Sequence, residues 1–136
     1  MITPVGDRPN KRKRRADEDK IQSESWCWLW NEHPETRGLF FACINETTPR
    51  NMSKKDQEIL GSMRKMRGIV AGVSDSIGLI PRGRFHGVCA EAKTPTGVQS
   101  EAQKLFQNRV EEQGYYYFIY RTVEEFKSKM EWYLNQ

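Results

Sequence analysis

Between residues 69 and 93 the chain carries a pattern that few folds can accommodate. Ile69 to Leu79 alternates small and apolar residues, and a strand is expected over Val73 to Ile80. Pro81-Arg82-Gly83-Arg84 has turn composition, and Phe85 to Lys93 is a second strand. Strands joined by so short a connection pair antiparallel, as a hairpin, because a parallel crossover needs a dozen or more residues. The rest of the chain must then supply the partners that cover this hairpin.

Most of those partners are helical. From Ile21 to about Glu32 the spacing predicts a helix with Trp26 and Trp30 on one face and Glu24 and Trp28 on another, ended by Pro34. The apolar run Gly38 to Ile44 reads as a buried strand. Ser53 caps a helix to about Arg67, with Gly68 just past its end. After a loop over Thr94 to Val98, Ser100 caps a helix that runs to about Gln113 and stops at Gly114. Tyr115 to Tyr120 is an aromatic strand, and Thr122 caps a last amphipathic helix to Leu134. The order helix, strand, helix, hairpin, helix, strand, helix describes an α/β domain with a mixed sheet flanked by helices. At 136 residues there is room for one such domain.

Residues 1–20 are polar and without periodicity, and read as a disordered basic arm preceding a folded domain over 21–136. Lys11, Arg12, Lys13, Arg14 and Arg15 form an unbroken basic run, suited to tracking phosphates or, in a eukaryote, to nuclear import. A solvated tail is the alternative, and Asp17, Glu18 and Asp19 weaken the field of the run. The net charge of +4 mildly favours a polyanionic partner. Cys27, Cys43 and Cys89 are odd in number and far apart, so reduced thiols in a cytoplasmic compartment are expected, rather than a disulfide framework or a zinc site. No apolar run reaches the roughly 18 residues of a membrane span. The N-terminus lacks the apolar core of a secretory signal.

The chemistry concentrates in Glu91-Ala92-Lys93. Residues two apart in a strand share a face, so the Glu91 carboxylate and the Lys93 ammonium point at one spot. Burying either charge unpaired is expensive. Asp75, sixteen positions earlier on the partner strand, can lie beside Glu91. Two close carboxylates repel, a divalent cation relieves that, and oxygen ligands select Mg²⁺ or Mn²⁺. Such a set suits phosphodiester hydrolysis, with Lys93 orienting the nucleophile or stabilising charge on the phosphorane. The structural alternative is a salt bridge at a strand end.

Gly72-Val73-Ser74-Asp75 followed by Glu91-Ala92-Lys93 resembles the PD-(D/E)xK nuclease signature. Residues 64–134 more specifically resemble the VRR-Nuc family. An aspartate strand, a glutamate-x-lysine strand, a loop with small and Gly residues and a Ser-x-x-Gln helix start, here Ser100 to Gln103, follow in that order. Pro34 to Glu46 resembles the family's first strand, which ends near an Asn-Glu pair, here Asn45-Glu46. The resemblance covers about residues 22–134. It implies a restriction-endonuclease-like core and metal-dependent DNA cleavage, with free-standing members of this size being phage or bacterial proteins, often homodimers acting on structured or branched DNA. Asp75 and Glu91 would be metal ligands, with the main-chain carbonyl of Ala92 as a third oxygen. Lys93 would be the catalytic lysine, and Gln103 would orient water or a phosphate at the site edge. A glutamate from the first helix often joins such sites; Glu24 fits best by position and Glu32 less well. Ser74 stands where the family usually has proline.

Other residues invite a function and a plainer alternative. Trp26, Trp28 and Trp30 cannot all face one way, and core packing of at least two is expected over base stacking or a dimer contact. Tyr115, Tyr116 and Tyr117 alternate across a strand, one face core and the other surface or interface. His33 and His86 lack a third nitrogen ligand. Lys104, Arg64, Lys65 and Arg67 could line a phosphate path or simply be solvated. The expected function is therefore a Mg²⁺- or Mn²⁺-dependent DNA endonuclease acting as a homodimer in a bacterial or phage-infected cytoplasm, nuclear only in a eukaryote. The alternatives are a DNA-binding module on a nuclease scaffold that has lost activity, and a protein-interaction factor.

Overall fold

In the computed structural model, which describes residues 11–44, 49 and 51–136, the expected hairpin forms, with strands shorter than the expected Val73 to Ile80 and Phe85 to Lys93. Strand β2 (Ser76–Gly78) runs antiparallel to β3 (Val88–Ala92), with Ser76 opposite Ala90 and Gly78 opposite Val88. An isolated bridge between Arg82 and Phe85 closes the turn. The edge strand β1 (Phe40–Ala42) pairs antiparallel with β2, and β4 (Tyr116–Tyr120) pairs parallel with β3. The sheet is thus mixed, in the order β1-β2-β3-β4.

Helices α1 (Lys11–Glu32), α2 (Lys54–Met66), α3 (Glu101–Glu112) and α4 (Val123–Leu134) complete the α/β architecture. A short 3-10 turn at Pro34–Thr36 follows α1, where proline stops the α-helix. The expected caps are in place. Ser53, Ser100 and Thr122 each accept a hydrogen bond from a backbone N–H of the first helical turn. On one face of the sheet Val88, Ala90, Ala92, Phe118 and Tyr120 pack with Leu29 of α1 and Phe126, Met130 and Tyr133 of α4. Alternation sends Cys89, Glu91 and Lys93 to the other face, which α3 covers. There Tyr117 meets Phe106 edge-on at 6.5 Å.

Four expectations are revised. The reading of 1–20 as a disordered arm fails over residues 11–20, because α1 begins at Lys11, a full ten residues before Ile21. Basic and acidic residues stand four apart at Lys13/Asp17, Arg14/Glu18 and Arg15/Asp19, a spacing that supports a helix, and Glu18 is anchored to Thr94. Residues 1–10 lie outside the described set, as do the side chains of Lys11 and Arg12. The strand over Gly38 to Ile44 shrinks to three residues. Only Phe40 of these is buried, because β1 is an edge. Only one of the three clustered tryptophans reaches the core: Trp28 packs edge-on against Phe126 at 6.1 Å, while Trp26 and Trp30 stay 38% and 41% exposed. The tyrosine strand has no open face, since α3 covers Tyr117 and α4 stacks Tyr133 on Tyr116.

Helix α2 is as expected in place but buries no side chain, and Ile59, Met63 and Met66 are exposed along it. No described helix is long and apolar enough to cross a membrane.

Candidate active site

The register of the hairpin decides where the chemistry falls. Ser76 faces Ala90, so the residues one step further out, Asp75 and Glu91, come side by side. They are locked by two crossed hydrogen bonds. The Asp75 backbone N–H donates to Glu91 Oε2 at 3.0 Å, and the Ala92 backbone N–H donates to Asp75 Oδ2 at 2.8 Å. Lys93 Nζ lies 3.4 Å from Glu91 Oε1. Glu91 is 2% and Lys93 8% exposed, a depth at which charges persist only when paired. Desolvation first, then the neighbouring Asp75 charge, pushes the Glu91 carboxyl up to about 8, against the lowering pull of Lys93. Desolvation also raises Asp75, offset in part by the Ala92 N–H.

Gln103 closes the network. Its Nε2 donates to Glu91 Oε1 at 2.7 Å, while its Oε1 accepts from Lys93 Nζ at 3.0 Å and from the Ser100 N–H at 2.9 Å. One side chain therefore completes the capping box of α3 and holds both the acid and the base of the triplet. The first turn of α3 can sit this close because Gly72 has φ of 80° and no side chain; a Cβ there would stand 2.3 Å from the Ala102 carbonyl carbon. Ser74, in the place of a proline, is fully buried, and its hydroxyl donates to the Ser76 carbonyl at 3.0 Å.

On the first helix it is Glu18, rather than the expected Glu24, that reaches the neighbourhood of Asp75. Glu18 Oε1 accepts from the Thr94 N–H at 3.3 Å, and its charge raises Asp75. It shares a stripe with the buried Ser25 and Leu29. Glu24 lies about 120° around the helix from it, where it is exposed and pairs with Lys20 at 3.9 Å. Glu32, also exposed, is a further two turns along. Two other residues escaped the sequence reading. The Cys43 N–H donates to the Asp75 carbonyl at 2.8 Å, and burial together with the Asp75 and Glu91 charges raises its thiol. Arg121 Nη1 donates to the Thr94 and Gly97 carbonyls at 2.6 and 2.7 Å, clamping the loop that links Lys93 to α3.

Lys104 points outward and pairs with Glu101 at 3.0 Å. Lys13 and Arg15 are exposed and Arg14 is half-buried on α1. His33 pairs with Glu35 at 3.2 Å and His86 is exposed beside Tyr115. Asn45-Glu46 lies outside the described residues.

No family model matches the chain, and no curated protein is similar to it at the level that would support a comparison. A solved structure titled "VRR_NUC domain protein" is similar to it, with 22% identity and a TM-score of 0.68 over 87% of this chain and 88% of that one. The likeness establishes a shared fold over nearly the whole chain, a mixed sheet flanked by helices, in agreement with the resemblance drawn from residues 22–134.

Proposed function

We propose that the protein is a divalent-metal-dependent nuclease that hydrolyses phosphodiester bonds in DNA. The observation that carries this reading is the pairing of half-buried Asp75 with buried Glu91, with Lys93 held beside them by Gln103. A salt bridge alone accounts for Glu91 and Lys93. It leaves Asp75 unexplained, because a second carboxylate disfavours the ionised form of the first.

The donor set fits Mg²⁺ or Mn²⁺. Among the described residues no three His, Cys, Asp or Glu side chains form a ready-made cage. Mg²⁺ needs none, being held by one or two carboxylates together with water and substrate phosphate. Asp75 and Glu91 would hold it, with the Ala92 carbonyl as a further oxygen and Glu18 at the edge. When bound, such an ion lowers the pKa of a coordinated water and polarises a phosphoryl oxygen. The protein's own groups do the rest. Lys93 places a positive charge where negative charge develops on the phosphate, and Gln103 orients it by bonding both that ammonium and Glu91. Glu18 braces the backbone just after Lys93, and Arg121 braces the loop beyond it.

The substrate class is structured or branched DNA, cut by a symmetric homodimer. One small domain carries one site and breaks one strand, and a two-fold dimer presents two. The apolar stripe Ile59, Met63 and Met66 on α2, exposed among the described residues, supports such an interface. A binding module that has lost catalysis would have no use for clustered carboxylates facing phosphate. The test is incubation with plasmid, linear duplex and four-way junction DNA, with Mn²⁺ and with EDTA. Cleavage that requires the metal is expected. DNA bound but left intact under all metal conditions would favour the inactive module, and light scattering at micromolar concentration would give the mass of two chains.

A further inference from the structure

An apolar opening lies next to the helix and strand that reach toward the carboxylates. A groove of about 720 Å³ lies between α1 and β1, walled by Trp26 and Trp30 on the helix and by Phe40 and Phe41 on the strand. Trp26, Trp30 and Phe41 are each about 40% exposed, an arrangement that leaves three large rings facing water. The two indoles stack at 5.0 Å with 28° between their planes, and the Arg37 guanidinium sits 4.9 Å over Trp30. Arg37 Nε also donates to the Trp30 carbonyl at 2.9 Å, so the stack is braced before anything binds.

Both walls lead to the candidate active site. On the strand side, the residue after Ala42 is Cys43, whose N–H bonds to the Asp75 carbonyl. On the helix side, Asp19 lines the groove and adjoins Glu18, whose carboxylate accepts from the Thr94 N–H beside Lys93. Along the helix axis Trp26 stands about 10 Å and Trp30 about 16 Å from Asp19.

We propose that this groove is a stacking site for unpaired nucleobases of the DNA strand whose phosphodiester lies at Asp75 and Glu91. The proposal rests on the nuclease reading and specifies the substrate, which would carry unpaired bases next to the cut. Stacked indoles with a guanidinium on top offer π-faces and positive charge together, the combination by which single strands are bound without sequence preference. The position suits it, because Ala42 and Asp19 of the groove are next in sequence to Cys43 and Glu18, which bond to the Asp75 carbonyl and the Thr94 N–H. A base-paired nucleotide could not enter, since its rings are already stacked and paired. A volume of this size lies within the roughly 300–1,000 Å³ of small-ligand sites.

The test compares three DNAs in EDTA: a plain duplex, the same duplex with a thymine flap, and the same flap with abasic positions. Wild-type protein should bind the thymine flap on the order of tenfold more tightly than the abasic one. Trp26→Ala with Trp30→Ala should remove that difference while duplex binding stays unchanged. Trp26→Phe with Trp30→Phe should keep most of it. Both indoles are partly exposed, so the variants should fold, which circular dichroism checks. Equal binding of the two flaps by wild type overturns the proposal, as does discrimination that persists in the alanine variant. A halved mass of the alanine variant in light scattering, with flap discrimination intact, would assign the groove to a second copy of the chain instead. Plasmid cleavage by wild type with Mn²⁺ is measured alongside. If it cuts while the flaps bind equally, only the groove reading falls; if it neither cuts nor binds, the nuclease reading falls and the groove goes with it.

Discussion

The hairpin with α3 and the helix α1 contribute to the same site in different ways. Asp75, Glu91, Lys93 and Gln103 lie within 29 positions of one another and are tied by hydrogen bonds at 2.7 to 3.0 Å. Glu18 reaches the site by one hydrogen bond of 3.3 Å across 76 positions. The first group is fixed by strand pairing and a helix cap, both of which leave marks in local sequence. The second is fixed by how a long helix lies against a sheet, which leaves almost none. The contrast implies a ranking in which residues of the hairpin network matter more to cleavage than those of α1.

The largest effect should come from the carboxylates. Asp75→Ala or Glu91→Ala is expected to lower cleavage by at least about a thousandfold, since the loss of metal-borne charge stabilisation is worth several kcal/mol. DNA binding should persist or tighten, because negative charge near phosphate is removed. Lys93→Ala should lose cleavage comparably while still binding metal. A Lys93→Ala protein whose Mn²⁺ affinity, by calorimetry, falls as far as that of the carboxylate variants would make the lysine structural.

The same pair should couple metal to stability. Glu91 has its folded pKa raised to about 8, above the ordinary carboxylate value. Its stabilising contribution is therefore full below that ordinary value and is lost as pH rises through about 8. The metal-free protein should melt lower at pH 8.5 than at pH 6. Saturating Mg²⁺ or Mn²⁺ should raise the melting temperature by about 4 °C or more at the higher pH, and by less at the lower. Glu91→Gln should flatten both trends. A metal shift that is independent of pH, or that survives in Glu91→Gln, would separate metal binding from this carboxylate.

Gln103→Ala should reduce cleavage by about 10- to 100-fold, as loss of a group that orients catalytic side chains does. Glu18→Ala should cost no more than that, and Glu24→Ala almost nothing. If Glu24→Ala hurts more than Glu18→Ala, α1 is rotated relative to the arrangement described.

How much of this was legible follows from the same contrast. The hairpin, its turn, the three helix caps and the Asp75, Glu91 and Lys93 set could be read because periodicity, turn chemistry and capping act over a few residues. Gln103 was placed at the site, but its triple role was not foreseen, since that depends on Gly72 admitting α3 within reach of β3. Sequence favours Glu24 over Glu32 and leaves Glu18 aside, because a helix starting at Ile21 puts Glu18 in a tail. Extending the buried stripe of Ser25 and Leu29 back by two turns would have pointed to Glu18. Cys43 and Arg121 act through main-chain contacts made across elements, so nothing in their neighbourhood marks them. The tryptophans misled because a short aromatic cluster looks like core in sequence. Beside the edge strand β1, the described residues leave Trp26 and Trp30 partly exposed.

The smallest expected effect tests the start of α1. Its basic run was read as a tail, and the structure makes it the first turns of a helix that carries Glu18. Lys13 and Arg15 are exposed there, so replacing both with Gln should leave folding unchanged. If they contact phosphates, each lost contact lowers the slope of log affinity against log salt by about 0.9 on duplex DNA. The double variant should then flatten the slope by up to about two, and weaken binding uniformly across sequences and branch types. Cleavage at saturating DNA should hold, because neither residue is placed at the carboxylates. The helical geometry adds a point that a disordered arm would not share. Lengthening the chain between this run and Glu18 would rotate or displace the charges with the helix, whereas a flexible tail would absorb the insertion. Two alanines inserted after Ala16 should therefore cost as much salt dependence as the double substitution. An unchanged slope in both proteins would show that these side chains do not touch DNA, and an unchanged slope after the insertion alone would show that the run behaves as a tail after all.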